Sequence, residues 1–284
     1  MRRSTLLSLS FAFALAAAAP SQAQSGLPDN PFRDLVHARS MGMGGAFRSL
    51  GLGVETVAGN PAAMSLYQHY SLELNGAWDV TQQVAFASAG VMDSSNKLAG
   101  GVAYHLVSFG DFANRSLAHL NTLALSMPLL ENVFVGGSVH YVFSSGALDA
   151  NAVTGDAGVV VRLLESLTVG LAGHNLIDTR HPDLATYFTL AGAFSAGPLS
   201  VAADARAQYV QDQAPLIGVN AGAEFVLGFG VPLRAGWGRD ESGRNFISGG
   251  LGYMFEGGAV DVAYRHELTG IGRAVAVTIK LSPG

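Results

Sequence analysis

From Tyr70 to the C-terminus the chain is a succession of short segments in which every second residue is apolar. They begin at "YSLELNGAW" and end at "GRAVAVTIKLS", and there are fourteen of them. In one, Leu199, Val201, Ala203, Ala205, Ala207 and Tyr209 alternate with Ser200, Asp204, Arg206 and Gln208. In the last, Val275, Val277, Ile279 and Leu281 oppose Thr278 and Lys280. A period of two predicts strands with one apolar face, and a tilted strand needs about 9–11 residues to cross a bilayer. Tight connections such as "DSSN", "LES" and "EGG" alternate along the chain with longer, polar ones such as "SFGDFANR" and "IDTRHPD". Short turns on one rim and longer loops on the other fit an outer-membrane barrel better than a soluble sandwich.

Composition points the same way. Apolar residues make up 49% and charged residues 13%, with 36 glycines and no cysteine. Soluble domains carry about a quarter charged residues. Apolarity spread over short segments leaves strands with one oily face as the economical solution. The net charge of −5 gives no basic footprint for nucleic acid. Arg2 and Arg3, an apolar run from Thr5 to Ala19 and the small-residue site at Ser21-Gln22-Ala23 predict a signal peptide over residues 1–23. The expected address is therefore the outer membrane of a Gram-negative bacterium, with its lipids as the immediate partners.

Aromatic residues sort to the ends of the segments. Trp78, Tyr141, Tyr209, Trp237 and Tyr264 fall near the outer rim on the apolar face; Tyr70, Phe194, Phe225 and Phe255 fall near the inner rim. Two such girdles are expected where an apolar band meets two headgroup layers. Because hydrocarbon cannot satisfy a free backbone N–H or C=O, the sheet must close, with the Tyr70 strand paired to the strand around Val277. The expectation is an all-β protein: a 14-stranded antiparallel transmembrane β-barrel over residues 69–284.

Alternation also projects Glu73, His105, His140, Arg162, His174, Asp204, Arg206, Glu224, Arg234, Asp261, Arg265 and Lys280 into the lumen. Both signs are present, so they read as a polar lining whose commonest role is charge pairing across the wall. The three histidines lie on different strands with no metal-ligand spacing, and no nucleophile motif accompanies them. No catalytic residue, metal site or cofactor is expected.

Residues 24–68 precede the barrel. "MGMGGAF" and "AGNPAAMS" belong to neither strand nor long helix. Gly42, Gly44 and Gly45 permit tight bends and close backbone approach. Asn60 suits a helix N-cap, Pro61 the first helical position and Ala62 the turn that follows. A dinucleotide fingerprint fails because Phe47 stands where its last glycine belongs. So short a piece needs a host, and the lumen provides one: it is expected to be a plug with a short helix.

The stretch "ARSMGMGGAFRSL" followed by "GNPAAMSLY" resembles the N-terminal region of FadL-type outer-membrane transport proteins, most closely the PorV/PorQ-like branch. The resemblance is confined to this stretch. It implies a 14-stranded barrel with an N-terminal plug, in which Gly42, Gly44, Gly45, Asn60, Pro61 and Ala62 are plug residues. It also implies two candidate functions. One is a channel passing small apolar molecules, gated by plug movement and opening sideways where a glycine-rich strand such as "SGGLGYMF" kinks. The other is a non-transporting scaffold for secretion or motility machinery proteins. The fatty-acid transporters are longer, with large apolar surface loops, and the chain lacks the terminal aromatic common in such barrels; short polar loops here argue against fatty acid as the substrate.

Overall fold

The computed structural model describes residues 37–81, 83–109, 115–145, 151–179, 184–209 and 214–282. The proposed signal peptide and residues 24–36 of the plug lie outside them. Fourteen strands follow one another: β1 (Tyr70–Asp79), β2 (Val84–Asp93), β3 (Ala99–Phe109), β4 (Ser116–Leu130), β5 (Val133–Ser145), β6 (Asn151–Leu164), β7 (Leu167–His174), β8 (Tyr187–Ala196), β9 (Leu199–Gln208), β10 (Leu216–Leu227), β11 (Val231–Arg239), β12 (Asn245–Phe255), β13 (Gly258–Glu267) and β14 (Arg273–Leu281). Each pairs antiparallel with its neighbours, and β1 pairs β14 to close the barrel. Gly76 stands opposite Val277 in that seam, as the closure requirement predicts.

Burial follows the alternation. Leu74, Trp78, Leu123, Val139, Leu190, Trp237 and Val277 are exposed on the outer face, while Glu73, Asn75, Thr122, His140 and Thr278 are buried on the inner one. Of the nine aromatics at the strand ends, Trp78, Tyr141, Tyr209, Trp237, Tyr264, Phe194, Phe225 and Phe255 are exposed, and Tyr70 is half-buried. The irregular alternation of "SLAHLNTLALSM" has a physical cause. His119 lies on the outer face near the rim, where it accepts no core partner but stacks on Phe143 at 4.3 Å between centroids and bonds the Tyr104 hydroxyl at 2.7 Å. An amphipathic ring at that depth belongs to the girdle rather than to the lumen.

Small register shifts occur at Pro128/Leu130 and Arg162/Leu164; a larger irregularity lies at one place. β12, the glycine-rich strand expected to kink, is paired along both edges without a register shift. The irregularity lies instead at β7, which has only 8 residues beside the 14 of β6. β7 pairs β6 from Leu167 only as far as Gly173, which stands opposite Ala157. Residues Asn151–Asp156 of β6, still paired to β5 on their other edge, therefore extend past the end of the β7 ladder. Asn175 turns the chain away at φ 52°, a conformation asparagine tolerates better than most. The backbone freed there is partly recaptured: Leu176 N–H donates to Gly155 O at 2.8 Å and Thr154 Oγ1–H to Ile177 O at 3.1 Å. The β6–β7 ladder thus has a break, the notch, edged by the exposed apolar side chains of Leu176 and Ile177, just below Val153, which pairs with Tyr141.

The inside/outside assignment is tested by moving a charge across the wall. Leu123→Arg, on the oily face at mid-strand, should cost about 2–4 kcal/mol of stability, whereas Thr122→Ser on the inner face should cost under about 1 kcal/mol. Urea unfolding in lipid vesicles reads both.

Candidate functional site

Fourteen strands enclose a lumen wider than their own side chains fill, since about eight strands suffice for side chains alone to fill a barrel. Residues 37–68 occupy it. They form α1 (Ala38–Gly42), α2 (Thr56–Gly59) and a 3-10 helix over Pro61–Leu66. Asn60 caps the last of these, its side-chain oxygen accepting from Ala62 N–H at 3.2 Å, with Pro61 at the first position. The tighter 3-10 winding replaces the α-turn that the sequence suggests. α1 and α2 were not foreseen; "ARSMG" looks like turn sequence because its apolar face is only one turn long.

The plug is held by the glycines of the wall. Cβ atoms at Gly222 and Gly236 would sit 2.1 Å from Met43 O and Gly44 N respectively. At Gly136 one would sit 2.6 Å from the Ala62 amide, and at Gly158 one would sit 2.1 Å from the Asn60 side chain. Real contacts are never so close, so these positions are notches cut for the plug backbone. Four plug glycines take positive φ, Gly44 at 69°, Gly45 at 84°, Gly51 at 69° and Gly53 at 95°, as the bends require. Gly42 ends α1 and fits close against Arg234 and Gly250.

Buried charges complete the attachment. Arg39 donates twice to Glu224, at 3.0 and 2.9 Å, and Arg234 bridges Glu224 and Asp261, both at 2.6 Å. Arg48 reaches Asp204 at 3.1 Å, and Asp204 also accepts from the Phe47 amide at 3.2 Å. His37 Nδ1 lies 2.9 Å from Glu73, which stands across the seam from Lys280 at 3.6 Å. The structure thus joins seven of the predicted lining residues to the plug or to each other: Glu73, Lys280, Glu224, Arg234, Asp261, Asp204 and Arg162, the last donating to the Leu66 carbonyl. Arg206 pairs instead with Glu241 of the β11–β12 connection at 3.0 Å. Arg265 lies over the Phe246 ring at 5.2 Å.

The histidines divide. Asp156 Oδ2 lies 2.9 Å from His174 Nδ1 and 3.0 Å from His140 Nε2, so a carboxylate links two of them beside the wall notch. His105 stays apart, stacked on Phe86 at 5.7 Å. Sequence reading overlooked His37, Arg39, Arg48 and Glu55 in the plug, and Asp156 and Glu241 in the barrel. Alternation through "AVTGDAGVVV" puts Asp156 on the inner face and would have found it.

Apolar clusters interrupt the polar inner face: four pack wall residues against the plug, and a fifth holds no plug residue among those described. Val107, Ala118, Leu120, Val142 and Leu184 form a buried cluster, with Val84, Phe86 and Ala152 packed against it. Register carries this patch across β2 to β6, through Phe86 opposite Val107, Leu120 opposite Val142 and Val142 opposite Ala152. It ends at the β6 residues that border the notch.

No protein-family model and no curated protein sequence matches this chain. Solved structures do. The toluene transporter TbuX of Ralstonia pickettii superposes with a TM-score of 0.69 at 14% identity, covering 88% of this chain and 98% of that one. The monoaromatic hydrocarbon channel CymD gives 0.67 at 16%, covering 88% and 97%. A Pseudomonas aeruginosa FadL homologue gives 0.60 at 15%, covering 87% and 97%.

The plug's first anchor is sensitive to protons. Burial alone would lower the proton affinity of His37, but the hydrogen bond and charge of Glu73, with Glu55 behind it, outweigh burial and the opposing Lys280, and hold His37 above its ordinary 6.5. Burial raises Glu55 above its ordinary range, against the pull of His37 and Arg39. Both groups bind protons more tightly folded than unfolded. Their stabilisation is complete below their unfolded values and is lost as pH rises through the folded ones. Amide exchange in residues 38–50, corrected for intrinsic rates, should therefore show protection falling as pH rises from 6.5 into the alkaline range. His37→Gln, facing the same Glu73, Glu55, Lys280 and Ser88, should flatten most of that dependence; an unchanged slope would remove His37 from the anchor. In fold, the chain is similar to the FadL-type outer-membrane barrels.

Proposed function

We propose that this chain is an outer-membrane channel for small apolar molecules whose plug stays seated while the ligand leaves sideways through the β6–β7 notch. The observation that carries this reading is the apolar cluster on the inner wall, from Phe86 to Ala152, which holds no plug residue among those described and reaches the β6 residues beside that notch. Four features support a seated plug: the glycine notches, the Arg39–Glu224 fork, the Arg48–Asp204 pair and the His37–Glu73 pair. Removing one partner of a buried pair costs about 3–5 kcal/mol, so withdrawing the whole segment is expensive. The solved structures of similar fold include proteins described as a hydrocarbon channel and as toluene transporters, which agrees with an apolar cargo. No observation favours the scaffold for secretion or motility proteins.

The absence of native cysteine makes the notch testable. Ile177, exposed at the edge of the notch, can be made the chain's single cysteine. In cells displaying Ile177→Cys, labelled toluene uptake should fall when a bulky thiol reagent is attached there through a mixed disulfide and return when reduction removes it. Uptake that ignores the reagent would rule out the sideways exit.

A further inference from the structure

Polar side chains that the plug anchors do not use up line the inner face of β7, β8 and β9. His174, Thr189 and Asp204 all face inward there, each 1% exposed. Thr189 stands opposite Ala172 on β7 and Arg206 on β9. His174 and Asp204 are therefore its two diagonal neighbours, one above and one below on the same face. Diagonal pairs lie within about 7–8 Å, inside the reach of long side chains. Arg48 of the plug covers this stripe. It bonds Asp204, lies over the Phe47 ring at 4.7 Å and is close enough for its charge to act on His174.

Each of these four side chains keeps one buried polar atom without a partner among the described residues: His174 Nε2, Thr189 Oγ1, Arg48 Nε and Asp204 Oδ1. A buried polar atom left unpaired costs about 1–3 kcal/mol, and four along one stripe is a large standing cost. The unpaired set is mixed. Arg48 Nε can only donate, Asp204 Oδ1 as a carboxylate can only accept, and the hydroxyl and imidazole can do either. A hydrocarbon satisfies none of them. A carboxylate brings only acceptors and a negative charge beside Asp204. A hydroxyl donates once and accepts twice, so it answers both kinds at once. Apolar surface adjoins the stripe: Phe47 and Leu50 below it, and Tyr187, stacked on His174 at 4.2 Å, at its upper end beside the notch.

We infer that this stripe is a ligand site selective for small apolar molecules that carry a hydroxyl group, as in simple phenols and alcohols, with Thr189 and Arg48 holding the oxygen and Asp204 taking its proton in a hydrogen bond. The inference rests on the channel reading above and narrows its cargo.

Phenol and toluene are nearly isosteric and differ at one position, hydroxyl against methyl, so they separate the polar contribution from the apolar one. The probes are titrated calorimetrically into the full-length protein in detergent, with the thermal transition recorded for each variant to confirm folding. Thr189→Val removes an unpaired hydroxyl while keeping its shape. It should lower phenol affinity about tenfold, the worth of about one hydrogen bond, and leave toluene affinity unchanged. Thr189→Ser, which keeps the hydroxyl, should restore phenol binding. If toluene binds but the phenol-to-toluene ratio is the same in wild type and Thr189→Val, the hydroxyl site is wrong and the channel reading stands. If wild type binds neither probe, the channel reading falls and this inference with it.

Discussion

Hydrocarbon offers no partner to a backbone N–H or C=O, and the rest of this molecule follows from that. Each unpaired group would cost several kcal/mol in the bilayer, so the sheet must close on itself. The β1–β14 seam meets that demand, with Gly76 against Val277. Closing at fourteen strands creates a second problem, a lumen too wide for side chains to fill. The N-terminal segment answers it, and the wall answers the segment in turn. Glycine at 136, 222 and 236 admits plug backbone, and at 158 the Asn60 side chain, where a Cβ would collide.

The notch beside β7 is the exception that the same constraint permits. A free edge on β6 would be intolerable in lipid, but the chain after His174 folds back to bond Gly155 and Thr154. The Asn175 amide donates to Asp156 at 2.9 Å, and Asp156 is already tied to two histidines. The ladder break is thus bordered by the Asp156–histidine bonds and edged by Leu176 and Ile177. A ladder break built this way keeps part of the freed β6 backbone bonded.

Local features carried much of this in the sequence, and long-range ones did not. Strand number, closure and the inner and outer faces are legible because period two is written in consecutive residues such as Val275 to Leu281. Asn60 and Pro61 announce a helix start for the same reason. The role of Gly222 is illegible because its partner, Met43, is far away in the chain and no local pattern links them. The apolar inner patch was hidden by the assumption that the lumen is polar throughout; Leu120 reads as a break in alternation until His119 is recognised as a girdle residue. The glycine-rich β12 stays regularly paired and the ladder breaks at β7 instead, because glycine only permits a bend. What ends a ladder is a residue leaving the extended conformation, and Asn175 was the signal for it.

A plug that remains in place while cargo moves around it is the claim on which the functional picture stands. Distances between spin labels on Leu52→Cys in the plug and Glu131→Cys in the β4–β5 turn test it most directly, since the chain has no other cysteine. A seated plug gives one narrow distance distribution, unaltered by saturating toluene or phenol. A second population, or a shift of several ångströms when either is added, would show that the plug itself moves aside and would contradict a sideways route past a fixed plug.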